Sequence, residues 1–362
     1  MNIGILSGLV REKNPTGISK VAIAICNEII KMSSNCDLKL IGKDIFHRLD
    51  KGISEIPYYL TTFGTMNMNF MLSAYDLNVI HSYFDAFDYN NDLLKCGRVL
   101  TVHDLIPVVH PEWVSEALVK YFNYDIYNCA KKADVIIAVS ECTKRDLVNY
   151  WEINPDKIKV IYNGIFKEEL YNNLSDKYEI KNLANCKYLL SVSGIDKNKN
   201  QDGLLKAFSE FKHKYRDFDI KLVLTGPIRD ANIALGVHDK KISEDIIYTG
   251  YVSDEELVWL YKNAYAFIYP SFFEGFGLPI LEAMKSGCPV MCSETTSMPE
   301  VGGEAAEYFN PYDVDSIVDT IERVVLNKNK MNEMKKKSIV QAEKFSYKKA
   351  ALQTLEVYHG FE

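Results

Sequence analysis

The sequence predicts an α/β fold made of parallel βαβ units, and three observations carry that prediction. Short apolar runs of strand length alternate with amphipathic helical stretches along most of the chain. Glycines follow several of those runs, at the strand ends where parallel sheets bind ligands. The length, 362 residues, suggests two or three domains with ample core.

Composition narrows the class. With 47% apolar and 25% charged residues the chain is an ordinary soluble globular protein. It opens on a strand with no basic leader, and no apolar stretch approaches the length of a membrane span, so a cytoplasmic protein is expected. The eight cysteines are scattered, with no Cys-x-x-Cys and no histidine pair at zinc spacing, which predicts buried reduced thiols. The net charge of −7 argues against a nucleic-acid partner, since neither half is basic. Lys131-Lys132 and Lys144-Arg145 read as solvated helix faces and leave peripheral membrane contact as the alternative.

The elements follow in order. Residues 3–6 form a first strand, and after Pro15-Thr16-Gly17-Ile18 a helix begins whose apolar face is Val21, Ile25 and Ile29. Residues 38–41, 79–81 and 99–102 are strands, while residues 43–75 show no clear pattern. His103 and Asp104 then stand at a strand's carboxyl end, in Thr101-Val102-His103-Asp104-Leu105-Ile106-Pro107, facing a ligand crevice. A helix over 114–131, a strand over 134–139, a helix over 142–151 capped by Ser140 and a strand over 158–162 continue the alternation. Residues 167–185 are polar and aperiodic and read as a linker.

A second series opens with a strand at 188–192 and the loop that carries Lys199 and Asn200, followed by a helix through Phe208 and Phe211. Lys199 is a candidate cation for phosphate. Thr225 and Gly226 end the next strand, and residues 246–249 lead to Gly250-Tyr251-Val252. Late helices are marked by Ile317, Ile321, Val324 and Val325, and by residues 347–358.

The chemistry concentrates in residues 269–287. Strand-length runs at 264–269 and 289–292 flank a glycine loop and a short helix. Gly275 and Gly277 permit close backbone approach, Pro279 suits the first helical turn and Gly287 the residue past the last. The free N–H groups at Gly275, Phe276, Gly277 and Leu278, with the helix dipole, make a seat for a diphosphate. Glu274 precedes this seat and Glu282 follows it, one placed to reach a group beyond the phosphate and the other to accept from hydroxyls on the nucleoside side. A solvated glutamate favoured by the helix dipole is the plain alternative for either.

The whole string, Pro-Ser-x-x-Glu-Gly-Phe-Gly-Leu-Pro-x-Leu-Glu-Ala-Met-x-x-Gly-x-Pro-Val from Pro270 to Val290, resembles the signature of retaining glycosyltransferases of family 4. The likeness extends to Thr249-Gly-Tyr-Val-Ser-Asp-Glu-Glu-Leu257, Met298-Pro-Glu-Val301 and Gly303-Glu-Ala-Ala306, and to the His-Asp-Leu-x-Pro segment, Ala133–Ser140 and Val160–Ile165 of the first half.

The resemblance implies the GT-B fold, two Rossmann-like domains facing across a cleft. Residues 1–166 would be the acceptor domain, 167–186 a linker, 187–345 the nucleotide-sugar domain and 346–362 a helix packing back on the first. It implies glycosyl transfer with retention, with Glu274 positioning the sugar, Glu282 holding the ribose, His103 contacting the transferred sugar and Asp104 orienting it or binding acceptor. Gly17 would lie across the cleft from the phosphates, and Asn200, Thr225, Gly226, Tyr251 and Val252 would line the donor site. The donor is expected to be GDP-mannose and the acceptor a bacterial surface glycan or lipid-linked saccharide. No cofactor and no metal are expected, Lys199 and backbone donors carrying the charge without an Asp-x-Asp. Relatives place an arginine just after the glycine where this chain has Ile195 after Gly194, so one cation is missing unless Lys197 or Arg229 supplies it. An epimerase or phosphorylase on the same architecture, or a non-catalytic sugar-nucleotide-binding subunit, are the rival readings.

Overall fold

The computed structural model describes residues 1–6, 17–32, 36–42, 54–57, 76–83, 95–173, 180, 183, 186–192, 194, 196–226, 242 and 244–362. The chain divides into two compact units, one of Met1–Phe166 with Phe345–Glu362 and one of Lys167–Lys344. Each is a parallel sheet with helices, which is the predicted α/β class.

The first unit's sheet has seven strands: β1 (Asn2–Leu6), β2 (Asp37–Gly42), β3 (Ser54–Pro57), β4 (Val79–Ser82), β5 (Gly97–Val102), β6 (Val135–Ala138) and β7 (Ile158–Val160). They lie in the order β3-β2-β1-β4-β5-β6-β7, every pair parallel. A parallel sheet needs cover on both faces, and the central strands show it: Ile3, Ile5, Val79, Ile80, Val99 and Leu100 have no exposed surface. The helix Gly17–Met32 buries the expected Val21, Ile25 and Ile29 and packs against the C-terminal helix Tyr347–His359.

The junction before that last helix is tight. Ser346 caps it by accepting the Lys349 N–H at 3.2 Å, and a Cβ on Gly164 would meet Tyr347 N at 2.1 Å and Ser346 C at 2.5 Å. Only glycine lets the two backbones approach this closely.

The second unit's sheet has six strands: β8 (Tyr188–Val192), β9 (Lys221–Thr225), β10 (Ile246–Gly250), β11 (Ala266–Tyr269), β12 (Val290–Ser293) and β13 (Ala306–Phe309), in the order β10-β9-β8-β11-β12-β13. All its pairs are parallel too. Strand order therefore reverses direction between β1 and β4 in the first sheet and between β8 and β11 in the second. Neighbouring crossovers leave those two junctions on opposite faces, which opens a crevice at the strands' carboxyl ends.

Several elements differ from the sequence reading. The stretch read as an aperiodic linker contains a helix, Glu168–Asn173, with two glutamates in its first turn and a buried Tyr171; its Glu168 pairs with Lys285 at 2.5 Å. Acidic residues at the dipole's positive end and one aromatic anchor suffice for so short a helix, and neither produces a periodic pattern. The predicted helix over 114–131 is helical from Glu116 to Lys132 but widens into a π segment at Tyr121–Ile126, whose Phe122 and Ile126 are buried. The lysine-rich Lys328–Ala342 is also a helix, burying Met331, Met334, Ser338, Gln341 and Ala342. Of residues 43–75, only strand β3 is described.

All eight cysteines are free; five are buried and Cys36, Cys96 and Cys186 only partly so. Among the described residues no helix is long and apolar enough to cross a membrane. Gly164→Ala is expected to cost at least the upper end of the roughly 1–3 kcal/mol typical of overpacking, because the obstacle is backbone and cannot swing away. A lowered denaturation midpoint, with faster hydrogen exchange in Tyr347–His359, checks it; an unchanged midpoint would contradict the close approach.

Candidate functional site

The second unit's crevice is assembled where its strand order reverses. The chain leaving β8 passes Gly194 and makes one 3-10 turn, Lys197–Lys199. The chain leaving β11 makes the loop 270–277 before the helix Leu278–Lys285. Between them lies a cavity of about 290 Å³ lined by Lys199, Thr225, Gly226, Tyr251, Val252 and Tyr269, with Val192, Gly194, Leu257 and Pro279 completing it. Five residues named from the sequence thus share one pocket.

Lys199 and Glu274 meet there. Lys199 Nζ donates to Glu274 Oε1 at 2.7 Å, and the same oxygen accepts from the Tyr269 hydroxyl at 2.9 Å and the Ser271 hydroxyl at 2.5 Å. Lys199 Nζ is also 3.4 Å from the Tyr269 oxygen. Burial opposes a charged lysine, but the adjoining carboxylate and the Tyr269 hydroxyl more than offset it, so the Lys199 pKa is raised. Burial first and the Glu274 charge second keep the Tyr269 hydroxyl protonated. Lys199 and Glu274 form a compact ion pair.

The surrounding backbone fixes this geometry. The Phe272 N–H donates to Asn198 O at 2.7 Å, Ser271 Oγ lies 2.8 Å from the same carbonyl, and Asn198 Nδ2 donates to Phe273 O at 3.0 Å. On the other side the Glu274 N–H donates to Thr296 Oγ1 at 3.1 Å, and Ser297 Oγ donates to Glu274 O at 2.9 Å. Thr296 has φ of 52°, a left-handed backbone that β-branched residues rarely adopt. Tyr269, Asn198, Thr296 and Ser297 were not singled out from the sequence. Ser271 lies inside the signature string and Tyr269 just before it, but which way a hydroxyl points is not a property of spacing.

Gly277 caps the next helix with φ of 95° and no side-chain cap, and Pro279 occupies its first turn. Pro279 lines the pocket, while none of Gly275–Leu278 is among the residues that do. The far end closes as predicted at Gly287, φ 71°: the Cys288 N–H reaches Ala283 O at 3.0 Å and the Gly287 N–H reaches Met284 O at 2.9 Å. Glu282, on this helix, accepts the Tyr261 hydroxyl at 3.1 Å. Phe276 is buried rather than open to the pocket. Tyr251 is 85% exposed, so its ring is available at the rim.

Asn200 is placed differently from the expectation. Its backbone is left-handed, its Oδ1 accepts the Gly203 N–H at 3.2 Å and its Nδ2 donates to Pro311 O at 2.8 Å. Its Oδ1 caps the helix Gln201–Lys214 while its Nδ2 ties that cap to Pro311, so both ends of the amide are engaged. Lys197 is exposed and absent from the pocket wall. Ile195, Arg229, Pro15 and Thr16 lie outside the described residues.

Contrary to the metal argument above, the chain does carry Asp-x-Asp triplets, at Asp217-Phe218-Asp219 and Asp313-Val314-Asp315. The first precedes β9, at the opposite end of that strand from Thr225 and Gly226, which line the pocket. In the second, the Asp313 side chain caps the helix Val314–Val325 by accepting the Asp315 N–H at 3.1 Å.

His103 and Asp104 are in the first unit, just past β5, and Gly17 opens the helix Gly17–Met32. Asp104 Oδ1 accepts the Ile106 N–H at 3.0 Å, and Thr143 Oγ1 donates to His103 O at 3.2 Å. Burial lowers the His103 pKa to about 4, against a smaller opposing effect from its bond to the Tyr83 backbone. Its Nε2 is buried and has no hydrogen-bond partner among the described residues. Nearby, burial and then the Asp104 charge push Asp146 up to about 6, against Arg145 and His110.

Comparison with known proteins adds the following. Residues 175–341 match the model for glycosyl transferases group 1 and residues 45–169 that for glycosyltransferase family 4. The chain is 31% identical over 268 residues to O-antigen chain mannosyltransferase B of Escherichia coli, covering 72% of this chain and 69% of that protein. It is 30% identical over 300 residues to O-antigen chain mannosyltransferase RfbU of Salmonella typhimurium, covering 78% and 79%. It also matches the serotype-specific mannosyltransferase WbdA of E. coli at 29% identity, spanning only 36% of that longer protein. Among solved structures, a glycosyltransferase from Rickettsia africae superposes with a TM-score of 0.77 at 18% identity, over 99% of this chain and 98% of that one, and shows the fold to be shared.

The buried histidines give the protein a defined acid sensitivity. His103 and His81, the latter lowered to about 3 by burial, stay neutral in the folded state while the unfolded chain takes up two protons as pH falls below 6.5. Asp146 acts oppositely below about 6, the folded state binding its proton first. The net is one proton favouring unfolding, a loss of roughly 1.4 kcal/mol per pH unit. Urea denaturation between pH 6.5 and 5 should show that slope, and His103→Gln should abolish most of it; stability that rises on acidification would contradict the assignment.

Proposed function

The chain belongs to glycosyltransferase family 4, and from that premise we propose that this glycosyltransferase moves mannose from GDP-mannose, with retention of anomeric configuration, to a growing surface glycan or its lipid-linked precursor. The observation that carries the reading is the Lys199–Glu274 pair, whose lysine lines the second unit's pocket and whose carboxylate stands at the position of the family's first glutamate. The donor sugar and acceptor class rest on the names of the two O-antigen mannosyltransferases to which the chain is similar.

In this reading the nucleotide diphosphate occupies the pocket, with Tyr251 and Val252 at the base and Glu282 taking the ribose hydroxyls. Departure of the diphosphate concentrates negative charge where Lys199 and the N–H groups at Gly275–Leu278 stand, and fixed donors aimed at developing charge are the main source of electrostatic catalysis. Glu274, held through Oε1, orients the sugar. His103, kept neutral by burial, contacts the transferred sugar. No metal is invoked, because the lysine and the helix N-terminus supply positive charge.

Three experiments test this. A thermal-shift panel of nucleotide sugars should single out GDP-mannose, a ligand at a hundred times its dissociation constant adding about 2.7 kcal/mol; NMR of the product should show the donor's anomeric configuration, and activity should survive EDTA. Donor consumed to an epimer without acceptor would favour the epimerase, and inversion or magnesium-dependent rescue would refute the mechanism. Glu282→Ala should weaken donor affinity by calorimetry, whereas Glu274→Ala should chiefly depress kcat. Lys199→Ala should cost more in turnover than the about 1.5–3 kcal/mol of one charge-assisted hydrogen bond, and a loss under tenfold would sink the assignment. A larger loss in Lys197→Ala or Arg229→Ala would transfer the phosphate role to that residue.

A further inference from the structure

The pocket beside Lys199 does not account for every aromatic ring at this end of the second unit's sheet. Among that unit's described residues the two most exposed large apolar side chains are Tyr251, at 85%, and Tyr312, at 63%. Tyr251 follows β10 and Tyr312 follows β13, the two edges of the sheet. Tyr251 lines the pocket together with residues at the carboxyl ends of β8, β9 and β11, and Tyr312 does not.

Tyr312 is instead laid on Phe272. Their ring centroids are 4.7 Å apart and their planes 19° from parallel. Phe272 is the one phenylalanine of the loop 270–277 that is only half-buried, Phe273 and Phe276 being buried. One face of the tyrosine ring is thus taken, and most of the rest stands in water. Phe272 is two residues from Glu274, so their Cα atoms lie within about 7 Å of each other.

The backbone under both rings is tied down. The Phe272 N–H donates to Asn198 O at 2.7 Å, and Thr295 Oγ1 donates to Phe272 O at 2.9 Å. Across from it, Asn200 Nδ2 donates to Pro311 O at 2.8 Å, the Tyr312 N–H to Asn310 Oδ1 at 3.0 Å and the Asn310 N–H to Ser316 Oγ at 3.0 Å. Asn198 and Asn200 flank Lys199, so the turn that carries the ammonium also anchors both sides of the aromatic pair. A tyrosine ring on a fixed backbone has little conformational entropy left to lose on contact.

Shielding Phe272 from water needs only apolar bulk, which an aliphatic side chain supplies. A ring laid parallel to it turns a second flat face outward, and such a face suits a sugar. A pyranose carries hydroxyls around its rim and C–H groups on its faces, and the negative face of an aromatic ring attracts those hydrogens. Ligand sites combine aromatic walls of this kind with a few placed polar groups.

We propose that the Tyr312–Phe272 pair is a platform for a pyranose of the acceptor glycan, on the β13 side of the loop that carries Glu274, and that it sets acceptor affinity and not donor affinity. The inference rests on the reading of the chain as a transferase that extends a glycan. It gives the second unit a share in acceptor recognition.

The test uses α-linked mannotriose as the probe. In the native protein, saturating the aromatic protons should pass magnetisation to the C–H protons of mannotriose, and the trisaccharide should be extended with GDP-mannose. Tyr312→Ala should raise its KM about tenfold, the scale of one lost aromatic contact, with kcat and the KM for GDP-mannose within about twofold and the denaturation midpoint unchanged. Tyr312→Phe keeps the face and should match the native protein, whereas Tyr312→Leu keeps only bulk and should resemble Tyr312→Ala; this pair carries the test if the alanine variant does not fold. Unchanged acceptor KM in Tyr312→Ala, full recovery in Tyr312→Leu, or a loss of GDP-mannose affinity in place of acceptor affinity overturns the platform. A native protein that binds GDP-mannose but neither binds nor extends mannotriose overturns the platform and leaves the donor reading standing. If GDP-mannose itself does not bind, that reading fails, and saturation transfer to mannotriose, present in the native protein and lost in Tyr312→Leu, decides the platform alone.

Discussion

A lysine and a glutamate 75 residues apart in sequence stand 2.7 Å apart in the second unit, and much of that unit's local structure serves to keep them there. Bringing two charges out of water costs several kcal/mol per ion unless good geometry and further hydrogen bonds offset it. Here the carboxylate oxygen gathers two hydroxyls besides the ammonium. The Glu274 backbone is tied to Thr296 and Ser297 on one side, and the loop before it to Asn198 on the other. Such lacing makes the donors fixed rather than induced, and fixed dipoles need no reorganisation when charge develops.

The two units share a topology and differ in electrostatics. Each sheet reverses its strand order once and opens its crevice there. The second unit places the Lys199–Glu274 pair and a helix without a side-chain cap beside that point. The first places a neutral, buried histidine just past β5, with Asp104 next to it and an Asp146 that burial pushes up to about 6 nearby. The backbone plan is common to both, and the side chains at the strand ends decide the chemistry.

The fold and the centre of the site were legible because they are written in periodicity and in one contiguous string. Alternating apolar runs gave the strands, and Gly277, Pro279 and Gly287 marked both ends of the site helix through backbone demands that few residues meet. Lys199 and Glu274 were readable as separate candidates; their direct pairing was not, because it depends on how β8 and β11 adjoin. Asn200 sits beside Lys199 in sequence, yet its left-handed backbone turns its amide away to cap a helix. The helix Glu168–Asn173 escaped notice because one buried tyrosine makes no period. His81 drew no attention because its partners, Thr101 and Tyr358, come from distant segments.

The ion pair bears on how the proposed reaction gains speed. With Glu274 beside it, Lys199 presents less net charge to a bound diphosphate than a lone ammonium would, so it adds modestly to donor affinity. As the glycosidic bond breaks, the diphosphate oxygens gain charge while the Glu274 carboxylate does not. The shared ammonium is then drawn toward the leaving group, and its contribution grows along the reaction coordinate. Only interactions stronger in the transition state than in the ground state raise kcat. A cation held in check by its own carboxylate meets that condition better than an unpaired one, which would bind the donor tightly from the start and gain little more as the bond breaks.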